Sequence, residues 1–518
     1  MGVKVKKVFE EEKNILEVFA EIYIFTVIIL FPLIINKYGY FKILECKWYS
    51  YLIISGLYVI SNILVILYYM FVKKFNIFSK IKLKIIQWLS IWYLLVNVIS
   101  CFLSPFFGKY DLFVGTGRGE GLIMTSLYVL TFLFVSLFAK FKKRYINYFA
   151  ISLVLLNIIA ILQYIGFNPF NLYQNGIGTH NVSFMTTIGN IDFISALYCI
   201  FISISFSSYV FLNDNKKWEN VLYLISIFMG FFIIGIINVQ SGKLALLATL
   251  VIVFPFLISN NKRLSKSLIV LAIILLAYAV NIIINPEYHY DLGSLNFYFQ
   301  FNYIVVLFLI VCSLLIYCSF KINKFEYDFT GNNKIIKYIY TGIILCGLCG
   351  LLFLYFYNFS SGFLYEIHML LHGNFEDEFG TYRVFLWKRT LMLVKDYPWF
   401  GSGPDTFAIR FMAKFTDDIM KIGPLTINDT AANVYLTMII NIGIVGLISY
   451  ITFLFFQIKE GINKMNKYSC VLLIPIICFL IQDFFNLWVV IITPIFWVLM
   501  AINYISLNES IVIKRKKL

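Results

Sequence analysis

Runs of about twenty predominantly apolar residues recur along the whole chain, separated by short polar connections, and no other feature limits the possible folds so severely. A run of that length crosses the hydrocarbon core of a bilayer as an α-helix, the one open-ended element whose main-chain N–H and C=O groups are satisfied within the segment. Spans are predicted near 18–36, 49–71, 85–107, 121–139, 148–166, 191–212, 221–239, 243–259, 267–285, 301–320, 335–357, 435–457, 468–485 and 487–506. The last two read either as separate spans or as a re-entrant hairpin, because Gln482, Asp483 and Asn486 leave little connection between them. The expected fold is all-α: a polytopic transmembrane bundle of about 12–14 spans with a large helical extracytoplasmic loop. Residues 1–357 form its first part, 358–434 the loop, and 435–518 the last spans and a basic tail.

With 61% of residues apolar and 13% charged, a soluble multidomain protein is excluded. The net charge of +15 does not mark a nucleic-acid binder, since the basic residues form no single stripe. They recur in every second connection: Lys4, Lys6 and Lys7, then Lys73 to Lys84, then Lys140 to Arg144, and onward through Lys216, Lys262, Lys321 and Lys459 to the tail at Lys514–Lys517. Such alternation is the positive-inside pattern, which places both termini in the cytoplasm and the 358–434 loop outside. Lys37, Lys42 and Lys47 break the pattern. The first apolar stretch follows Glu10–Glu12 and lacks a small-residue cleavage site, so it reads as a retained span. The nine cysteines have neither metal nor disulfide spacing; Cys346 and Cys349 fall inside a predicted span, where small-residue packing explains them.

Polar chemistry gathers between Gly380 and Gly446. Thr381 is expected to cap a helix presenting Arg383 and Trp387 on one face, with Lys388 and Arg389 beside them, and Asp396–Pro398 to end it. Gly401, Ser402 and Gly403 then make a turn before Pro404, where a second helix would offer free N–H groups to an anion. Three further sites fall on the same predicted face. G-T-G-R-G-E-G (Gly115–Gly121) is either a flexible turn or a loop whose Arg118 grips a phosphate bidentately beside Glu120. Around His180, Gly189, Asn190 and Asp192, the polar residues read equally as a helix cap. Q-S-G-K (Gln240–Lys243) sets Lys243 at membrane depth, to snorkel or to bind phosphate. His368 and His372 with Glu376–Glu378 read as a solvated loop, so no metal site is expected.

In this order the motifs resemble the O-antigen ligase and O-antigen polymerase superfamily of bacterial membrane glycosyltransferases. Its R-x-x-x-W helix is matched by Arg383 and Trp387, and its P-x-x-G-x-G-P-x-x-F turn by Pro398, Gly401, Gly403, Pro404 and Phe407. Its A-H-N-x-Y-L segment is matched by Ala431, Ala432, Asn433, Tyr435 and Leu436, and its R-x-E-G by Arg118, Glu120 and Gly121. Gly189, Asn190, Asp192 and Phe193 approximate a further segment, and Ser241–Lys243 match another only loosely.

The resemblance implies transfer of a glycan from undecaprenyl pyrophosphate to a hydroxyl of a sugar, lipid or protein, with inversion and without metal or other cofactor. Arg118, Arg383 and Lys243, with Arg389, would clamp the pyrophosphate, and Asn433 or Tyr435 would orient the acceptor. The family's catalytic histidine corresponds to Ala432, which cannot accept a proton. Another base (Asp429, or the more remote His180), a naturally inactive relative and a deliberate inactivating substitution each remain open; the intact neighbours favour the last. The competing classes are a polysaccharide or lipid-linked oligosaccharide transporter or flippase, and a catalytically silent scaffold.

Overall fold

The computed structural model describes residues 15–73, 82–174, 182–289, 294–299, 302–422 and 429–516, with backbone alone for 285–289, 294–299 and 508–516. Nine helices come first: α1 (Ile15–Leu33), α2 (Ile43–Phe71), α3 (Ile85–Leu103), α4 (Leu122–Phe138), α5 (Arg144–Tyr164), α6 (Ile191–Phe211), α7 (Lys217–Ile237), α8 (Gln240–Leu257) and α9 (Asn261–Ile283). An antiparallel hairpin, β1 (Ile284–His289) and β2 (Ser294–Phe299), pairs Ile284 with Phe299. It leads to α10 (Tyr303–Ile322) and α11 (Asn333–Phe356). Three shorter helices follow, α12 (Gly362–Leu371), α13 (Phe379–Val394) and α14 (Phe407–Ile422), and the chain closes with α15 (Val434–Asn463), α16 (Lys467–Gln482) and α17 (Thr493–Lys516).

Among the described residues, 12 helices are long and apolar enough to cross a membrane. The shorter α4 and the apolar part of α17 occupy the two remaining predicted positions. Asparagine starts several of these helices: Asn190, Asn260, Asn302, Asn433 and Asn466 each accept main-chain N–H bonds at the head of α6, α9, α10, α15 and α16. Those donors would otherwise be orphaned at the membrane boundary.

Helix α6 is the centre of the bundle, buried along its whole apolar length. Small residues let its neighbours approach: a Cβ on Gly242 of α8 would lie 2.0 Å from Ser195 Oγ, and one on Gly230 of α7 would lie 2.7 Å from Ile202. Beside it, Trp497 is fully buried and stacks on Phe453 at 5.4 Å, with Tyr93 and Tyr128 on its other flanks. Helix α11 is the opposite case, with no buried residue and the Tyr340 hydroxyl bonded to Ile252 O of α8. Its apolar surface is left largely uncovered by the described residues, apart from a cavity that Ile339, Ile343 and Cys346 line with α8 and α9.

The connections sort into two sets. Glu17 and Glu21 pair with Lys140, Lys142 and Arg144, Lys143 bonds Glu219 at 2.7 Å, and Lys467 bonds Asp214 at 2.6 Å, so the lysine-rich connections join one another. The alternate connections also meet: Trp48 Nε1 donates to Gly119 O, Tyr40 OH to Thr186 O, and Arg383 Nη2 to Phe485 O. Lys47, which breaks the charge pattern, is buried in α2 and donates to Phe31 O and Pro32 O. It adds a donor to carbonyls at the end of α1 that also accept from Ile34 N and Thr187 Oγ1.

Candidate active site

The loop between α3 and α4 closes around a carboxylate. Main-chain N–H groups of Gly117, Arg118, Gly119 and Glu120 all donate to Asp405 Oδ2, at 2.9, 3.0, 3.0 and 3.2 Å. Thr116 Oγ1 donates to Asp405 O at 2.6 Å. Successive N–H groups in a glycine-rich turn form an anion-binding concavity, and here the protein's own side chain fills it. Burial outweighs these bonds and pushes the Asp405 carboxyl up to about 6.

Held in this way, the loop projects the Arg118 side chain towards the segment before α15. Its Nε donates to Asp429 Oδ2 at 2.7 Å and its Nη2 to Asp429 Oδ1 at 3.2 Å, a two-pronged pairing of fork and carboxylate. The guanidinium also lies 5.6 Å from the ring of Phe193, in the first turn of α6. Asp192, one residue earlier, feels the charges of both Arg118 and Arg383.

Arg383 reaches this place from α13. Its Nη1 donates to Gly380 O and Thr381 Oγ1, its Nη2 to Phe485 O, and its buried Nε has no hydrogen-bond partner among the described residues. Burial pulls its pKa down, and Asp192 opposes that. Thr381 does not cap the helix as expected: Gly380, Thr381 and Tyr382 all have left-handed φ, and the threonine hydroxyl bonds Gly380 O and Arg383 instead. Four residues on, Trp387 shares the face of Arg383 as its spacing predicts, its ring 5.4 Å from Phe484 and its Nε1 donating to Ala431 O at 3.0 Å.

The turn expected to open a helix with free N–H groups has two of its donors occupied, and the helix after it starts at Phe407 and not at Pro404. Ser402 N donates to Ile440 O and Gly403 N to Asn441 O, while Ile444 N and Val445 N return to Pro398 O and Trp399 O. These partners exist because α15 breaks at Gly443, whose φ of 72° and ψ of −178° are non-helical. Gly401 and Gly403 are required for close approach: Cβ atoms there would lie 2.4 Å from Asn441 O and 2.8 Å from Ser104 Oγ. They therefore join segments and leave those donors occupied.

Ala432 sits half-buried with φ of 46°, and its N–H bonds Thr430 Oγ1. The remaining predicted residues divide between this place and others. Asn433 caps α15 through Leu436 N, and Tyr435 OH donates to Leu480 O at 2.8 Å, so both brace the segment. Asn190 is likewise a cap, accepting from Asp192 N at 2.8 Å. Arg389 lies elsewhere: it bonds Asp418 and Asp377 and stacks at 3.7 Å over Phe385. Lys243 bonds Asn238, and its neighbour Ser241 accepts from Gln482. His180 falls outside the described residues. His368 and His372 each place Nδ1 on a main-chain carbonyl, and among the described residues no group of three or more His, Cys, Asp or Glu could hold a metal.

Beneath Arg118 lies a cavity of about 60 Å³ lined by Tyr93, Asn97, Glu120, Asp405, Thr430, Asn441 and Trp488 among others. Tyr128 OH donates to both oxygens of Glu120 at 3.0 Å. Desolvation, and then the neighbouring Asp405 charge, push the Glu120 carboxyl up to about 8. Asp405 and the main-chain acceptor of Phe485 were not singled out by sequence reasoning. Only the place of Asp405, directly after Gly-x-Gly-Pro, could have drawn attention to it.

Residues 292–451 match the family model described as O-antigen ligase. The match supports the O-antigen ligase superfamily read from the motifs, and takes in α13, the 398–403 turn and the 429–436 segment. The Arg118 loop and the head of α6 lie outside it. No curated protein matches the chain significantly.

Proposed function

We propose that this multi-pass membrane protein is a glycosyltransferase of the O-antigen ligase or polymerase type, moving a glycan from undecaprenyl pyrophosphate to a hydroxyl acceptor. The reaction would take place on the outer face of the bacterial cytoplasmic membrane, with both termini inside. One observation carries this reading: Arg118 and Arg383, from distant parts of the chain, both come to the head of α6, Arg118 beside Phe193 while bonding Asp429, and Arg383 on Phe485 O, next to the Asn486 whose amide bonds Asp192 O. Two guanidinium groups on one side of a lipid-embedded bundle suit a lipid-linked diphosphate.

Chemically, the acceptor oxygen attacks the anomeric carbon while the bond from that carbon to the pyrophosphate oxygen breaks, its electron pair leaving with the pyrophosphate. Arg118 and Arg383 would stabilise the charge that develops there, and a base would take the hydroxyl proton. Attack from the face opposite the leaving group inverts the anomeric centre. Pyrophosphate is already a competent leaving group, so the reaction requires no metal. Ala432 cannot be the base. Asp429, three residues earlier, has both oxygens engaged by Arg118. These two facts support reading this chain as a form inactivated at position 432.

The test is Ala432→His, assayed with lipid-linked oligosaccharides. Recovered transfer is expected, a ladder of products marking a polymerase and a single transferred block a ligase. If a folded Ala432→His protein transfers nothing from a matched donor and binds undecaprenyl diphosphate no better than Arg383→Ala, the enzymatic reading is overturned.

A further inference from the structure

We infer that Asp405 is a positioning residue for Arg118: it fixes the 115–121 loop to the 401–405 turn and so sets where the guanidinium stands. This deepens the reading above and rests on it. Four N–H bonds on one carboxylate oxygen, from four consecutive residues, leave the loop little freedom. The fit is close from the other side too, since a Cβ on Gly115 would lie 2.4 Å from Asp405 Oδ2 and one on Gly117 would lie 2.9 Å from Oδ1. Gly115 has φ of +103°, a conformation that favours glycine.

The anchor is itself held. Asp405 has φ of 58° and follows a turn whose Ser402 and Gly403 N–H groups bond the carbonyls of Ile440 and Asn441 on α15. Ser104, at the end of α3, bonds Ser402 O. One continuous path of hydrogen bonds therefore runs from α15 through the turn and Asp405 to the loop that carries Arg118. The segment that Arg118 meets, at Asp429, leads directly into the head of the same α15. Asp405 thus keeps the arginine and the 429–433 segment in one frame. Its Oδ2 is taken up by the loop's four N–H groups, so the aspartate acts through the place it gives Arg118.

The experiment titrates full-length detergent-solubilised protein with undecaprenyl diphosphate, comparing Arg118→Ala, Asp405→Ala, Asp405→Asn and the double variant Arg118→Ala/Asp405→Ala. Each is checked by gel filtration and thermal unfolding. Asp405→Ala is expected to weaken binding about tenfold or more, and Asp405→Asn by less, because its amide oxygen still accepts from the loop. The double variant should bind no worse than Arg118→Ala, since the aspartate acts through the arginine. Losses that add, or a folded Asp405→Ala that binds as well as the parent while Arg118→Ala is impaired, overturn this inference alone. If Asp405→Ala does not fold, Asp405→Asn in the same cycle decides. If Arg118→Ala binds like the parent, the proposed function fails first and the inference falls with it.

Discussion

Neutralising Asp429 should tighten the hold on a lipid diphosphate. In the structure the Arg118 fork is occupied by that carboxylate through bonds of 2.7 and 3.2 Å, and any phosphate seeking the same donors must displace it. The two side chains are 20% and 19% exposed, which is too buried for the pair to count as an ordinary surface bridge and too open for a full interior value. Hydrogen bonds to charged groups contribute about 1.5–3 kcal/mol net, and the lower half of that range suits this exposure. Asp429→Asn keeps an acceptor but removes the charge, so about 1.5–2 kcal/mol of competition should vanish. At 1.4 kcal/mol per tenfold, undecaprenyl diphosphate should bind roughly 10- to 30-fold more tightly. The melting temperature of the free protein should fall at the same time, since the fork loses its ionic partner. Titration in detergent reads the first quantity and thermal unfolding the second. If Asp429→Asn weakens binding as much as Arg118→Ala does, the aspartate is a cooperating part of the site and the competition argument is wrong.

Arg383→Lys should not rescue Arg383→Ala in an Ala432→His background, because one ammonium cannot serve Gly380 O, Thr381 Oγ1 and Phe485 O from a planar fork; transfer should drop at least about a hundredfold in both. Gly443→Ala should prevent recovery of monodisperse protein, its Cβ lying 2.1 Å from Trp399 O at a φ of +72°, a strain of at least about 1–3 kcal/mol before the clash is counted. Gly56→Ala, where a Cβ meets nothing within 4 Å, is the matched control and should fold normally. The Glu120 carboxyl is raised from 4.5 to about 8, so the folded protein holds a proton that the unfolded chain releases. Its contribution to stability is therefore complete below pH 4.5 and lost as pH rises towards 8. Glu120→Gln should flatten that decline in thermal unfolding, and an unchanged slope would show that the carboxyl titrates normally.

The spans were legible because crossing a bilayer is a local property, decided by the length and polarity of one run of residues. The asparagine caps were legible for a similar reason: Asn190 serves donors two and three residues away. Partnership across the chain was not. Arg383 and Arg389 look equivalent in sequence, yet six positions on a helix turn them to different sides, and Arg389 is claimed by Asp377 and Asp418.

The Gly401–Gly403 turn shows the same limit more sharply. Taken alone, it has unpaired N–H groups and reads as an anion site. Its Ser402 and Gly403 donors are satisfied because α15 interrupts itself at Gly443, some forty residues later, and turns out the carbonyls of Ile440 and Asn441. The anion cradle that does form is the Arg118 loop, and its anion is Asp405, 285 to 288 residues away along the chain. Local pattern thus locates positive charge well and assigns its counter-charge poorly, since any carboxylate the fold brings near can take the place of a ligand's phosphate. For this chain the distinction is functional: a loop filled by Asp405 is scaffold, whereas a guanidinium engaged by the partly exposed Asp429 remains open to exchange.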